Sequence, residues 1–192
     1  MILLGIDIGT SGCKITAIDE CGHILDEGFA EYETSHPQPG WAEEDPEDWC
    51  VAVRGILAEL KERGAVDFAD ISAIALDGST HNAVLLDGEM KVVRPTIMWT
   101  DQRAVAESAE LNGVHGEAVF GTAYQMAAPT WTLPQMLWLQ HHEPDALART
   151  SHVMFVKDYV RYRLTGEWCT DTIEAQGTLF FDMARKQWSP EL

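Results

Sequence analysis

At 192 residues and 46% apolar content, the chain is long enough to bury one sizeable core. Its 31 acidic side chains against 13 Lys and Arg give a formal charge of -18. That balance excludes nucleic acid as a partner, since neutralising phosphodiesters needs clustered cations, and it disfavours anionic membrane surfaces.

The N-terminal stretch is the most informative. Leu3 to Ile8 and Ile15 to Ile18 are apolar and β-branched around Ile6-Asp-Ile-Gly-Thr-Ser-Gly-Cys-Lys14, so two strands flank a glycine turn. Gly9 and Gly12 let backbone N–H groups approach a bulky anion, Thr10 and Ser11 add hydroxyls, and Lys14 adds a positive charge. This is the composition of a phosphate-binding hairpin. Asp7 stands in an otherwise apolar strand, where a carboxylate either caps the turn or is compensated by a cation such as a hydrated metal.

Asp19 to Gly22 reads as a tight turn and Ile24 to Tyr32 as a third strand, giving an antiparallel meander. The Pro- and Gly-rich segment from His36 follows neither regular period. Asp45 before Pro46 is an N-cap with proline in the first turn, and Trp49, Val53, Ile56, Leu57 and Leu60 recur at helical spacing, predicting a helix over Pro46 to Arg63. Ile71 to Leu76 and Ala83 to Leu86 read as strands around Asp77-Gly-Ser-Thr-His81. Polar residues at a strand end are where α/β proteins place ligands, so Thr80 and His81 are candidate contacts, although His81 could equally satisfy a carbonyl of the turn. Trp99 is either a stacking platform or core, and Asp101 and Arg103 follow it.

The chain then turns helical, with one segment over Ala104 to Leu111, a shorter one near Glu117 to Tyr124, and a third over Leu133 to His142, together an inserted helical region. His141 and His142 are adjacent on a helix end, diverge, and read as surface charge, not as a metal pair. Val153 to Val156 is strand-like, the basic segment after Lys157 is a helix ended by Gly166, Asp171 to Gly177 is turn-like, and Leu179 to Phe181 is strand-like. Ser189-Pro190-Glu191 has the pattern of a helix about to begin, which points to a longer protein. Cys13, Cys21, Cys50 and Cys169 lack C-x-x-C or zinc-ligand spacing and read as reduced thiols. With no membrane-length apolar run and no leader-like start, the sequence reads as cytoplasmic.

These residues together resemble the FGGY carbohydrate kinases, most closely their xylulokinase branch. The resemblance runs through Asp7-Ile-Gly-Thr-Ser-Gly-Cys-Lys14, Gln38-Pro-Gly-Trp-Ala-Glu-Glu-Asp-Pro46 with Trp49, and Gly78-Ser-Thr-His-Asn-Ala-Val-Leu-Leu-Asp87. It continues through Arg94-Pro-Thr-Ile-Met-Trp-Thr-Asp-Gln-Arg103, Leu133-Pro-Gln-Met-Leu-Trp-Leu-Gln140 and Lys157-Asp-Tyr-Val-Arg-Tyr-Arg-Leu-Thr-Gly-Glu167. Six blocks in family order, spread over the whole chain, are very specific.

The resemblance implies a ribonuclease H-like α/β fold, shared with actin-like ATPases, in which this chain is the N-terminal sugar-binding domain and a C-terminal ATP-binding domain lies beyond residue 192. It implies phosphorylation of a ketopentose, D-xylulose first, with ATP and Mg2+ as cofactors. Asp7 would hold the metal through water, Gly9, Thr10 and Ser11 would face the phosphates with Lys14 balancing charge, and Thr80, His81, Trp99 and Asp101 would lie near the sugar. The catalytic aspartate belongs to a Gly-Gly-x-Asp motif that does not occur here, so Asp77, Asp101 and Asp171 are not assigned as base. Three positions depart from the pattern: Ser79 and Thr80 replace Gln-Met, which favours D-xylulose less strictly, and Gln135 replaces a lysine. Gluconate or glycerol as substrate, or a non-catalytic sugar-binding or assembly module, are the alternatives. An uncovered interdomain face further implies self-association, a homodimer in the simplest case.

Overall fold

The computed structural model describes residues 1–192. β1 (Ile2–Ile8), β2 (Gly12–Asp19) and β3 (Ile24–Glu31) form the expected antiparallel meander. Strand alternation sends Leu4, Ile6, Ile8, Cys13, Ile15 and Ala17 to one face, where all are buried. The opposite face carries Asp7 paired across the strands with Lys14.

A two-residue strand β4 (Glu43–Glu44) precedes α1 (Pro46–Arg63), which has the predicted bounds. The Asp45 carboxylate accepts from Glu47 N–H at 2.9 Å, and Gly64 closes the helix in the left-handed region at φ 67. Trp49, Val53, Ile56 and Leu60 lie on its buried face against the sheet. The chain then returns as β5 (Ile71–Gly78) parallel to β1, completing a mixed sheet of order β3-β2-β1-β5.

Gly12 marks a close approach between backbones in this sheet. A Cβ there would sit 2.7 Å from the Ala30 carbonyl oxygen and 2.7 Å from the Phe29 ring. Because backbone cannot yield as a flexible side chain does, Gly12→Ala is expected to lower stability by about 1–3 kcal/mol. Urea denaturation with an unchanged m-value would measure it, and a midpoint equal to wild type would refute the packing argument.

Beyond β5 come β6 (Ala83–Leu86), β7 (Thr96–Ile97), α2 (Val105–Ala123), α3 (Thr132–His142) and α4 (Pro144–Arg149). They are followed by β8 (His152–Phe155), α5 (Val156–Thr165), α6 (Thr172–Gly177), β9 (Phe181–Asp182) and β10 (Gln187–Trp188). β6 pairs antiparallel with β8, and β4 with β7.

Two expectations are corrected here. The two segments read over 104–124 are one helix, α2, which runs straight through Gly113 and Gly116. Each interior glycine costs about 1 kcal/mol, but Leu111, Val119 and Ala123 are buried in one apolar cluster with Leu133 and Leu179, and that burial outweighs the local preference. Asp171 to Gly177 is a short helix, not a turn: the Asp171 carboxylate caps it by accepting from Ile173 and Glu174 N–H. As expected, His141 and His142 are exposed in the last turn of α3, and both approach the buried Glu107, at 3.5 and 3.4 Å. At the end of the chain Ser189 Oγ accepts from Glu191 and Leu192 N–H, the capping geometry the sequence pattern calls for.

All four cysteines are free thiols; burial pushes Cys13 up to about 12, which makes it inert. No helix is long and apolar enough to cross a membrane.

Candidate active-site face

The turn between β1 and β2 is closed by the Gly9 N–H donating to Gly12 C=O at 3.0 Å and is braced from behind. Tyr32 Oη donates to the Gly9 carbonyl, and Thr34 Oγ1 reaches the Thr10 carbonyl at 3.4 Å and Glu44 Oε1 at 2.8 Å. Glu44 in turn accepts from the Trp49 indole N–H, so the core helix and the glycine turn share one polar link. Burial holds the Glu44 carboxyl above its ordinary range.

Thr10 sits where the candidate phosphate and sugar residues meet. Its Oγ1 accepts from Trp99 Nε1 at 2.9 Å and lies 3.3 Å from Ser79 Oγ. Trp99 is 44% exposed, so it is not core, and its N–H is satisfied by the turn. The loop after β5 is tied in as well, with Ser79 N–H donating to Ile8 C=O at 2.9 Å. The fully buried Asn82 donates to Ser79 C=O at 3.1 Å.

His81 is held on several sides. Its backbone is left-handed at φ 51, its N–H donates to Glu174 Oε2 at 2.8 Å, and its carbonyl accepts from Thr132 Oγ1 at 2.8 Å. The imidazole lies 4.5 Å from the Trp131 ring, and Nδ1 is 2.9 Å from Thr80 Oγ1. Nε2 is enclosed without a partner. Burial pulls the His81 pKa down to about 4, so the ring is neutral at physiological pH and available as a hydrogen-bond partner, not a charge.

Two predicted residues are committed elsewhere. Asp101 is 1% exposed: Oδ1 accepts from Arg103 N–H and Nε, and Oδ2 from Arg103 Nη2 and Ala42 N–H. It anchors the Trp99 loop from beneath and has no face open to a ligand. Lys14 Nζ lies 2.9 Å from Glu27, drawn across to β3 by strand pairing instead of toward the turn. The Arg103 guanidinium stacks 3.8 Å over Trp41 and 4.9 Å from Trp138 and pairs with Glu43, which also meets Arg94. Gln135 donates to Met98 C=O at 3.4 Å. Sequence motifs far apart in the chain thus converge on the segment that presents Trp99.

The family model for the N-terminal domain of the FGGY family of carbohydrate kinases matches residues 2–192. The chain belongs to that family. It is 36% identical to the xylulose kinase of Escherichia coli strain K12 over 186 residues, covering 97% of this chain and 38% of that protein. It superposes on a crystal structure of a xyloylose kinase from Brucella ovis with TM-score 0.95 at 37% identity, over 100% of this chain and 39% of that one. Gluconate kinase from Lactobacillus acidophilus matches with TM-score 0.92 at 25% identity, over 99% and 38%. The chain therefore spans about two fifths of the length of the relatives it matches.

The candidate metal residue Asp7 has a second carboxylate on the adjoining strand. Asp7 and Asp77 are register partners on the adjacent parallel strands β1 and β5, both exposed and at the same end of the sheet as the glycine turn. Two exposed carboxylates on neighbouring strands are the hard oxygen donors that a small divalent ion takes, so the donor chemistry fits Mg2+. Sequence reasoning had singled out Asp7 alone; the parallel pairing that places Asp77 beside it has no signature in either strand taken singly. The sequence reading also leaves out Asn82, Trp131 and Glu174, the last two because they reach the site from residues 50 and 93 positions beyond His81. A separate cavity of about 610 Å3, lined by Thr132, His152, Asp158, Trp168 and Phe180 among others, lies outside this constellation.

Proposed function

We propose that this chain is the N-terminal, sugar-binding domain, of ribonuclease H-like fold, of an ATP-dependent kinase for a ketopentose, with D-xylulose as the first substrate. The observation that carries the reading is the Thr10 hydroxyl, which joins the glycine turn to Trp99 and Ser79, so that a sugar stacked on Trp99 and a phosphate over the turn would be neighbours. Phosphoryl transfer depends on positioning and charge neutralisation more than on covalent participation by the protein.

In this reading Trp99 presents a stacking surface, Thr80 and neutral His81 hydrogen-bond sugar hydroxyls, and Gly9 to Ser11 approach the phosphates. Asp7, with Asp77 beside it, would hold Mg2+, which when bound neutralises phosphate charge. The base for the sugar hydroxyl and the adenosine site belong to a C-terminal domain. Free thiols suit a reducing, cytoplasmic setting. The exposed Ile24 and Phe29 lie on the open face of the sheet, paired with Ile18 and Lys14, and give it an apolar surface on which a second domain or a second copy could rest. A kinase for gluconate or another polyol is the second reading, favoured by Thr80, whose hydroxyl adds a polar contact beside His81.

The expected result is a D-xylulose-dependent rise in melting temperature of the 192-residue chain, with gluconate and glycerol giving smaller shifts, because a ligand that binds only the native state stabilises it. Gluconate giving the larger shift would move the assignment to the second reading. No shift with any of the three would refute the sugar site.

A further inference from the structure

His81 adopts a left-handed backbone conformation that a non-glycine residue enters only at a cost, and something must hold it there. The holding groups come mainly from one element. α6 supplies Glu174, whose Oε2 accepts the His81 N–H at 2.8 Å, and Gly177, where a Cβ would stand 3.0 Å from His81 Cβ and 3.3 Å from Nδ1. Any larger residue at 177 would push the imidazole aside. Glu174 is itself fully buried, far from its usual surface habitat, and its Oε1 makes no hydrogen bond.

We propose that Glu174 is the positioning residue of His81, fixing the backbone turn that aims the imidazole, and that sugar affinity follows the charge of this carboxylate. The proposal rests on reading Thr80, His81 and Trp99 as sugar contacts. The charged groups around Glu174 make its ionisation responsive near neutrality. From α5, Lys157 Nζ stands 3.9 Å from Oε1 but only 2.8 Å from both Asp158 and Asp171, and Arg161 lies 3.2 Å from Asp158. The cations are thus drawn mainly to other carboxylates. From the β5–β6 loop the facing groups are the His81 N–H and its neutral ring. Burial, opposed by the His81 N–H and Lys157, raises Glu174 to about 7.

The sign of the pH effect separates a positioning role from a merely structural one. A carboxyl whose folded pKa is raised from 4.5 to about 7 keeps its proton in the native state across that window, so its contribution to stability falls as pH rises through it. The bond to His81 N–H runs the other way, becoming charge-assisted and stronger as Glu174 ionises. Affinity should therefore rise with pH over the same range in which this group's contribution to stability declines.

The test follows the His81 backbone amide by NMR and D-xylulose affinity by calorimetry from pH 5.5 to 8.5, in the wild-type chain and in Glu174→Gln. Wild type should show a downfield movement of the amide proton centred near pH 7 and about tenfold tighter binding at the alkaline end. In Glu174→Gln both profiles should be flat, with affinity at pH 8.5 matching wild type at pH 5.5. A His81 amide that does not titrate in wild type, or a variant that keeps the full pH dependence of binding, overturns the proposal. If wild type binds no sugar at any pH, the sugar-site reading and the affinity claim fail together, while the amide titration still decides whether Glu174 holds His81.

Discussion

Replacing Asp101 with alanine is expected to destabilise the chain by about 3–5 kcal/mol, the range for breaking a buried ion pair from one side. The Asp101 carboxylate accepts from three groups of Arg103 and from the Ala42 N–H, and the side chains of both Asp101 and Arg103 are 1% exposed. Removing it leaves the guanidinium buried with Glu43 as its remaining counter-ion, and Glu43 is already shared with Arg94. The stacking of Arg103 on Trp41 and Trp138 persists, which places the loss nearer the lower bound. Glu143→Ala is the control: that carboxylate is 34% exposed and pairs with Arg94 from the rim, so its loss should stay below about 1 kcal/mol. Chemical denaturation of both variants decides between the burial argument and simple ion-pair counting; equal effects would defeat the former. Asp101→Ala should also free Trp99, whose emission would shift to the red before global unfolding.

That network shows where sequence legibility stops. α1 could be bounded from the chain alone because every determinant is local: Asp45 and Pro46 at the start, Gly64 at the end, and Trp49 to Leu60 at helical spacing. The meander was equally legible, since alternation within seven or eight residues decides which face is buried. α2 was not, because Gly113 and Gly116 argue locally for a break and are overruled by contacts with α3 and with Leu179. Asp101 is a candidate sugar contact only through its place in the family pattern. Nothing near it in sequence announces that its partner Ala42 lies 59 residues upstream, nor that Trp41 and Trp138 enclose Arg103. The candidates that the sequence singles out, Asp7, Thr10, His81 and Trp99, are those whose chemical type is odd for their local setting. Their supports, Glu174, Trp131 and Tyr32, look ordinary until the fold brings them in.

Asp7→Asn is expected to leave the fold intact and to remove phosphoryl transfer. The side chain is exposed at the end of β1, so stability should change by no more than about 0.5 kcal/mol. D-xylulose binding should stay within about twofold of wild type, because Thr80, His81 and Trp99 are untouched. Transfer from ATP, assayed in the protein carrying its second domain, should fall by at least about a hundredfold, the scale of losing one preorganised charge-stabilising contact. A variant retaining half of wild-type turnover would remove Asp7 from the phosphate site. Asp77→Asn refines the test, since Asp77 is the register partner of Asp7. Two carboxylates that serve one ion lose the same function when either is neutralised, so Asp7→Asn with Asp77→Asn should be scarcely worse than Asp7→Asn alone. Multiplicative losses would instead mean that the two act separately, with Asp7 at the phosphates and Asp77 only capping the Gly78 N–H, which it accepts at 2.8 Å.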